Sequence, residues 1–322
     1  MITVLKKFFI PILILLSFFW RFVHFLRIKI GKYEKMPIPV VCVGNITLGG
    51  SGKTPTVQLI LKIFREIGIE AHVVSRGYGG KIKHTTLVNP KKHNASDVGD
   101  EPLMISGTSK VWVTRDKKSG IIEAYNSGAK IVILDDGFQN PSVYKDLSVL
   151  VIDTDFDLGK GYIFPLGPLR ESLEFAMTRT DMLICMGRYD SRRSFLKKTK
   201  IPSDILLIEG QLNPKTYPSP LEKKSLIAFC GIARPEKFFQ TLKKLDLNVI
   251  ETIPFPDHFP YTENDLRKLI KKAKLANALL VTTEKDLVKI PKNIKRKFHS
   301  IPIEVKLTNP SDFEKKLKKL VF

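Results

Sequence analysis

An α/β fold with a largely parallel sheet, a smaller C-terminal α/β subdomain and an N-terminal hydrophobic helix is predicted by three features of this 322-residue chain. Strand-like apolar runs alternate with helical patterns along most of its length. A glycine-rich turn, "NITLGGSGKTP" at 45–55, joins one such run to one such helix, and a separate apolar block opens the chain. Alternation of this kind favours parallel strands connected by helices on both faces of a sheet.

The opening block, "FFIPILILLSFFW" at 8–20, follows Lys6-Lys7 and precedes Arg21, His24, Arg27, Lys29, Lys32 and Lys35. No small-x-small cleavage site follows it, which argues against a removable signal peptide. The strictly apolar run is shorter than the roughly 20 residues that span a bilayer. Extending it to Leu26 adds length but takes in Arg21 and His24. A basic-flanked apolar helix with Trp20 near its edge suits a membrane anchor, either spanning or lying in the interface. A buried core helix is the competing reading.

The apolar run Val40-Val41-Cys42-Val43 then feeds Gly49, Gly50 and Gly52, followed by Lys53 and Thr54. Glycines let backbone N–H groups approach an anion, and a helix starting at the end of the loop adds the positive end of its dipole. This is the arrangement of a P-loop nucleotide-binding core. Lys53 would reach the β- and γ-phosphates, and the Thr54 hydroxyl would meet a magnesium ion bridging them. The pattern G-x-x-x-x-G-K-[ST] wants glycine at 47, where this chain has Thr47. Asn45, Thr47, Gly49, Gly50, Ser51, Gly52, Lys53 and Thr54 are the candidate phosphate-contacting residues. A plain glycine-rich turn with a chance lysine is the alternative. Val57, Ile60, Leu61, Phe64 and Ile67 then recur at helical spacing, with Pro55 in the first turn.

Further strands are predicted at 71–75, 110–114, 130–135, 147–152 and 181–186, and a proline-rich linker at 210–225. A second series follows: a strand at 226–230, a helix from Pro235, a strand near 247–253, a helix from Thr262 to Lys274, a strand at 278–283 and a last helix from Ser311. Thr262 with Asp265 and Ser311 with Glu314 resemble capping boxes. These boundaries predict a membrane-associating helix at 1–35, a P-loop core at 36–210 and a C-terminal subdomain at 211–322. Cys42, Cys185 and Cys230 form no C-x-x-C pair and lie in apolar runs, so they read as reduced core residues, without zinc or a disulfide framework.

"KIVILDDGFQN" at 130–140 ends a strand in Asp135-Asp136. A carboxylate at the end of a strand beside a phosphate loop holds magnesium directly or through water, whereas Asp-Asp-Gly alone is simply a turn former. Guanine recognition wants an Asn/Thr-Lys-x-Asp run; "TTEKD" at 282–286 has those letters at the wrong spacing, which favours ATP.

Seven ordered segments carry a resemblance: "VGNITLGGSGKTP", "SRGYGG" at 75–80, "VGDEP" at 98–102, "LDDGFQ" at 134–139, "PLGPLRE" at 165–171, "FPDHFPY" at 255–261 and "TTEKD". Together they resemble the tetraacyldisaccharide 4'-kinase family, from the N-terminal helix to the last strand region. The resemblance implies ATP and Mg2+ as cofactors and transfer of phosphate to the 4'-hydroxyl of an anionic lipid disaccharide, a lipid A precursor. It further implies work on the cytoplasmic face of the inner membrane, at the membrane surface, held there by the N-terminal helix; a monomer is expected, although the sequence itself does not fix the oligomeric state. It also accounts for Thr47, because such loops keep an early glycine, here Gly44, and cluster the others late.

By the same resemblance Asp100 is the general base and His258 its orienting or tuning partner; from opposite halves of the sequence, the two would need those halves to close together. Arg76 and Arg170 are candidates for holding phosphate, Arg170 with Lys53 in the catalytic set and Arg76 with the nucleotide. Thr54, Asp135, Asp136 and Gln139 are the candidate magnesium ligands. Gly77, Gly79 and Gly80 suggest close backbone approach or a mobile lid. Where relatives commonly show Asp-Arg, this chain has Asp116-Lys117, and Lys117 is left out of the site.

Two other classes share some of these features. A membrane-associated P-loop ATPase switch would pass phosphate only to water. A nucleic-acid-binding ATPase would account for 53 Lys plus Arg against 32 Asp plus Glu, a formal charge of +21. Here, however, the lysines lie on helices without interleaved aromatics, and no nucleic-acid module appears. The charge then points to an anionic substrate and membrane surface rather than nucleic acid.

Overall fold

The computed structural model describes every residue except Met1, Asp157, Gly159 and Lys160, and for residues 2–9 the backbone alone. The chain forms two compact units, one from Met1–Ser75, Asp116–Leu212 and Val305–Phe322, the other from Arg76–Arg115 and Asn213–Glu304. This differs from the sequence-based division, which kept 36–210 together. Residues 76–115 leave the first unit after one strand and return at the start of a helix. Such an excursion keeps the local α/β rhythm and so gives no boundary signal.

In the first unit the strands Leu206–Pro214, Met182–Met186, Leu147–Asp153, Val40–Gly44, Ile131–Asp135 and Ala71–Ser75 lie side by side in that order, with every pairing parallel. Five of these strands were predicted. Leu206–Pro214 was not, and it overlaps the expected linker, because its polar half, "EGQLNP", reads as a loop. The inner strands are buried along their whole length, which is why they read as unbroken Val, Ile and Leu. Val40–Gly44 lies between Ile131–Asp135 and Leu147–Asp153, with later strands continuing the sheet on both sides of it, and such a point in an open parallel sheet is where ligands bind, beyond the carboxyl ends of the strands.

The helix Lys53–Glu66 follows that strand and buries Val57, Ile60, Leu61 and Phe64. The last helix runs Pro310–Lys318 with Asn309 as its N-cap, so the expected Ser311 cap is displaced by the preference of proline for the first helical position. All three cysteines are free and buried. Burial pushes each thiol up, that of Cys185 to about 12 and that of Cys230 to about 12.

The N-terminal helix Ile2–Ile30 contains Pro11, and Ile10–Ile30 is long and apolar enough to cross a membrane. It is not a core helix. Leu15 is 70%, Phe18 69% and Phe19 64% exposed, while Ser17 and Ile28 are buried. Ser17 Oγ donates to Phe164 O (3.2 Å), and Trp20 Nε1 donates to Arg170 O (3.0 Å). His24 Nε2 lies 3.5 Å from the buried Glu171. The helix thus turns polar groups inward and apolar groups outward, the reverse of a water-soluble amphipathic helix.

In the second unit the strands Val249–Pro254, Leu226–Cys230, Leu279–Thr283 and Phe298–Ile301 form a parallel sheet. Alternate residues of one strand feed two cores: Leu226, Ala228 and Cys230 pack with Leu242 and Val281, while Ile227 and Phe229 pack with Leu266 and Leu280. That is the period of two of a strand with helices on both faces. Helix Glu263–Leu275 carries the predicted capping box between Thr262 and Asp265. Thr86–Leu87 pairs antiparallel with Val111–Val113 in the same unit. Phe298–Ile301 and the short Thr86–Leu87 strand had no clear apolar signal.

Candidate active site

The phosphate loop of the first unit is built by geometry that only its own residues allow. Gly49 (φ 112°) and Gly52 (φ 92°) adopt positive φ, and Gly52 ends the loop as the N-cap of the following helix. Gly44 has a different task. A Cβ there would stand 2.4 Å from Phe138 Cβ, so this glycine lets "LDDGFQ" pack against the start of the loop. Asn45 Nδ2 donates to Thr47 Oγ1 (3.1 Å) and to Gly49 O (3.3 Å). Thr47 therefore supports the loop through its hydroxyl at the position where glycine was expected. Asn45 Oδ1 and Ser51 Oγ are buried without a partner among the described residues, while Thr54 is buried and Gly50 has open space around it.

Asp136 is the centre of charge. Lys53 Nζ lies 3.6 Å from its carboxylate, and Arg170 Nη1 donates to both carboxylate oxygens at 3.0 Å. Burial by itself would raise the Asp136 carboxyl; Lys53, then Arg170, outweigh it and hold the group below the usual carboxylate range. Asp136 also has φ 53°, an uncommon conformation for a non-glycine residue, and its N–H donates to Val43 O (2.9 Å). Asp135, at the end of its strand, is buried and accepts from Ser75 Oγ (3.2 Å).

Gln139 joins the same network. Its amide donates to Asn45 O (2.8 Å) and Glu171 Oε1 (3.0 Å), and its oxygen accepts from Arg170 Nη1 (3.3 Å). The structure so brings together Asn45, Lys53, Asp136, Gln139 and Arg170. The "PLGPLRE" segment reaches them because Arg170 N–H donates to Ile46 O (2.7 Å) and Leu48 N–H to Pro168 O (2.9 Å), making it a partial strand beside the loop.

Two residues here were not read from the sequence. Glu171, nearly fully buried, binds Gln139, pairs with Arg179 and faces His24. Lys117, left out of the site, is buried, and its Nζ donates to Val74 O (3.2 Å); its charge also helps to lower Asp136. A lysine next to an aspartate in a turn carries no signal of burial. Asp116 is explained locally as the N-cap of helix Lys117–Asn126, accepting from Lys118 N and Ser119 N.

The second unit holds a separate acid–imidazole pair. Asp100, 5% exposed, opens helix Asp100–Ile105, and His258 Nδ1 lies 2.9 Å from Asp100 Oδ2. Their segments were expected to meet only if two halves of the protein closed. They belong instead to one unit, since the 76–115 excursion carries Asp100 to the sheet that carries His258. Burial pushes the Asp100 carboxyl up; the hydrogen bond from His258 and the charge of Lys285 overcome it and leave the group below its ordinary value.

His258 sits at φ 57°; its N–H donates to Gly231 O (3.1 Å), and Tyr78 meets its ring edge-on at 5.2 Å. Gly77, Gly80 and Gly99 are close-approach glycines, because a Cβ on each would fall within 3 Å of Val113, Asp97 or Tyr78 atoms. "SRGYGG" accordingly braces the Asp100 turn. Arg76, the first residue of this unit, is exposed.

No group of three or more His, Cys, Asp or Glu that could hold a metal ion occurs among the described residues. A nucleotide-borne magnesium does not require one, since one or two carboxylates with phosphate and water oxygens complete its shell. The oxygen donors Thr54, Asp135 and Asp136 are of the right chemical type for that ion.

A model of the family described as "Tetraacyldisaccharide-1-P 4'-kinase" matches residues 9–321. The tetraacyldisaccharide 4'-kinase of Rhodospirillum centenum is 39% identical over 286 residues, covering 88% of this chain and 84% of that protein. Its namesake from Rhodospirillum rubrum is 38% identical over 287 residues, covering 89% and 87%. The crystal structure of LpxK from Aquifex aeolicus in complex with ATP is similar with a TM-score of 0.78 at 26% identity, covering 99% of this chain and 100% of that one. This chain belongs to the tetraacyldisaccharide-1-P 4'-kinase family.

Proposed function

We infer that this protein is a tetraacyldisaccharide 4'-kinase, which transfers the γ-phosphate of ATP to the 4'-hydroxyl of a tetraacyldisaccharide 1-phosphate, a lipid A precursor. The observation that carries the reading is the family match across residues 9–321. The roles of individual residues are our proposal from the geometry.

In this proposal the phosphate loop holds ATP through its N–H groups, and the buried Asn45 Oδ1 and Ser51 Oγ find partners there. Lys53 exchanges Asp136 for the β- and γ-phosphates. Arg170 steadies the charge on the transferring group, and Arg76 serves the nucleotide. Thr54 and Asp135 would hold Mg2+, with Asp136 and Gln139 at its edge; when bound, the ion draws charge from the β- and γ-oxygens. Asp100 takes the proton of the acceptor hydroxyl as that oxygen forms its bond to phosphorus. The bond from phosphorus to the β-phosphate oxygen breaks, and its electron pair leaves with ADP. All these groups come from one chain, so the reading needs only a monomer.

The outward-facing apolar side of the N-terminal helix supports membrane docking, and the basic residues after it suit anionic headgroups. We place this contact on the cytoplasmic face of the inner membrane, where ATP is present. The test is transfer of γ-labelled phosphate to a purified lipid A precursor, with the modified hydroxyl located by mass spectrometry. ATP turnover that is indifferent to that lipid would favour a switch ATPase.

A further inference from the structure

"TTEKD" at 282–286 has no part in the proposed reaction, yet its lysine stands at the acid–imidazole pair. Lys285 Nζ lies 3.2 Å from His258 Nε2, 3.2 Å from Glu101 Oε1, 3.9 Å from Asp100 Oδ2 and 4.0 Å from Asp257 Oδ1. An ammonium group can only donate, so a protonated Lys285 requires a lone pair on His258 Nε2. The ring proton is then on Nδ1, which lies 2.9 Å from Asp100 Oδ2, a buried oxygen with no other hydrogen-bond partner among the described residues. We propose that Lys285 is a positioning residue that fixes the tautomer of His258, so that the imidazole donates to Asp100 while Asp100 accepts the acceptor's proton. This rests on the assignment of Asp100 as the base.

The motif is built to hold that lysine. Asp286, fully buried, accepts from Gly231 N–H (3.0 Å), Tyr261 OH (3.0 Å) and Thr283 OH (2.7 Å) and pairs with Lys289 (2.7 Å). Thr283 in turn caps the short helix Glu284–Leu287 through Asp286 N–H. Gly231 O receives His258 N–H. One buried carboxylate therefore fixes both the backbone under His258 and the turn that presents Lys285.

The lysine is kept charged. Burial works against its protonation, but Glu101, Asp100 and Asp257 outweigh burial and raise it above the ordinary lysine value. The charged and titratable groups facing the pair are Glu101, Asp257, Lys285, the more distant Lys289, and the Tyr78 ring on His258.

The test uses the full-length protein in detergent micelles. Long-range proton–nitrogen correlation NMR with 15N-histidine should show His258 carrying its proton on Nδ1 with a bare Nε2. Lys285→Met should shift that pattern toward a proton on Nε2. It should also lower kcat about ten- to a hundredfold, the effect expected for a lost hydrogen bond to a charged group, with the KM for ATP unchanged. In addition it should raise the acid limb of the kcat/KM pH profile, because a cation near Asp100 is gone. Lys285→Arg, which keeps charge and donors, should restore most of the rate and the tautomer. A wild-type spectrum with the proton on Nε2, or a Lys285→Met variant with unchanged tautomer and pH profile, would overturn the proposal while leaving Asp100 as base. An active Asp100→Asn variant would instead remove the base assignment and leave the spectrum to decide the tautomer alone.

Discussion

The N-terminal helix offers a direct test of the membrane reading, by the double substitution Leu15→Ser with Phe19→Ser. These residues are four apart, share one helix face, and are 70% and 64% exposed. Neither belongs to the inward set that bonds the helix to residues 163–171. Full burial of such a side chain contributes about 1.5–3 kcal/mol. With about two-thirds of each surface open to lipid, each residue contributes about 1–2 kcal/mol to partitioning. Losing both should weaken binding to vesicles about 30- to 1000-fold.

The assay is cosedimentation with vesicles of mixed zwitterionic and anionic lipid, over a range of lipid concentrations and at low and high salt. The variant should retain its thermal midpoint, since both side chains are mostly exposed. Ser17→Ala should do the opposite, keeping vesicle affinity while lowering stability by about 1 kcal/mol through the lost hydrogen bonds. A double variant that binds vesicles as tightly as the wild type would refute the argument that the exposed apolar face contacts lipid.

Three further outcomes are expected. Arg170→Lys keeps the charge but loses the guanidinium Nη1 that donates to Asp136 and Gln139, so kcat/KM in the phosphotransfer assay should fall about tenfold or more. Asp286→Ala strands the buried Lys289 and three donors, and urea unfolding should show a loss of about 3–5 kcal/mol, against about 1 kcal/mol for Tyr261→Phe. Asp100→Asn should lower kcat at least about 100-fold and also change acid stability. The folded-state value of Asp100 is depressed, so its stabilisation is complete above the unfolded carboxyl value of about 3.9 and is lost as pH falls through the lower folded value. The wild type should therefore lose stability in that acid window with a steeper slope than the variant.

Local signals account for most of what was legible. The buried parallel strands read as continuous apolar runs, and the loop glycines with Lys53 and Thr54 announced a phosphate site. What could not be read was set by tertiary placement. The departure of 76–115 to the second unit has no compositional mark, so Asp100 and His258 were expected to come from separate bodies. Lys117 and Lys285 look like surface lysines among 53 basic residues, and only burial beside carboxylates distinguishes them. Glu171 is similarly silent, because its three partners come from 24, 139 and 179. Leu206–Pro214 was missed because a strand that is only half apolar, and contains glycine and proline, resembles a linker.

The low value of Asp100 raises a question about its task, since a carboxylate held below its ordinary range is a weak base. The answer lies in what arrives with the substrates. In the free enzyme His258 and Lys285 favour the ionised form. In the proposed reaction the γ-phosphate and the acceptor's own phosphate would bring negative charge toward the carboxylate, and like charge disfavours ionisation. Proton affinity should therefore rise when both substrates are in place, which is when the hydroxyl proton must be taken up. The acid limb of the kcat profile, which reports the bound complex, should lie at higher pH than that of kcat/KM, which reports free enzyme. Coincident limbs, or a kcat limb at lower pH, would mean that substrate charge does not reach Asp100, and its assignment as the base would fail with it.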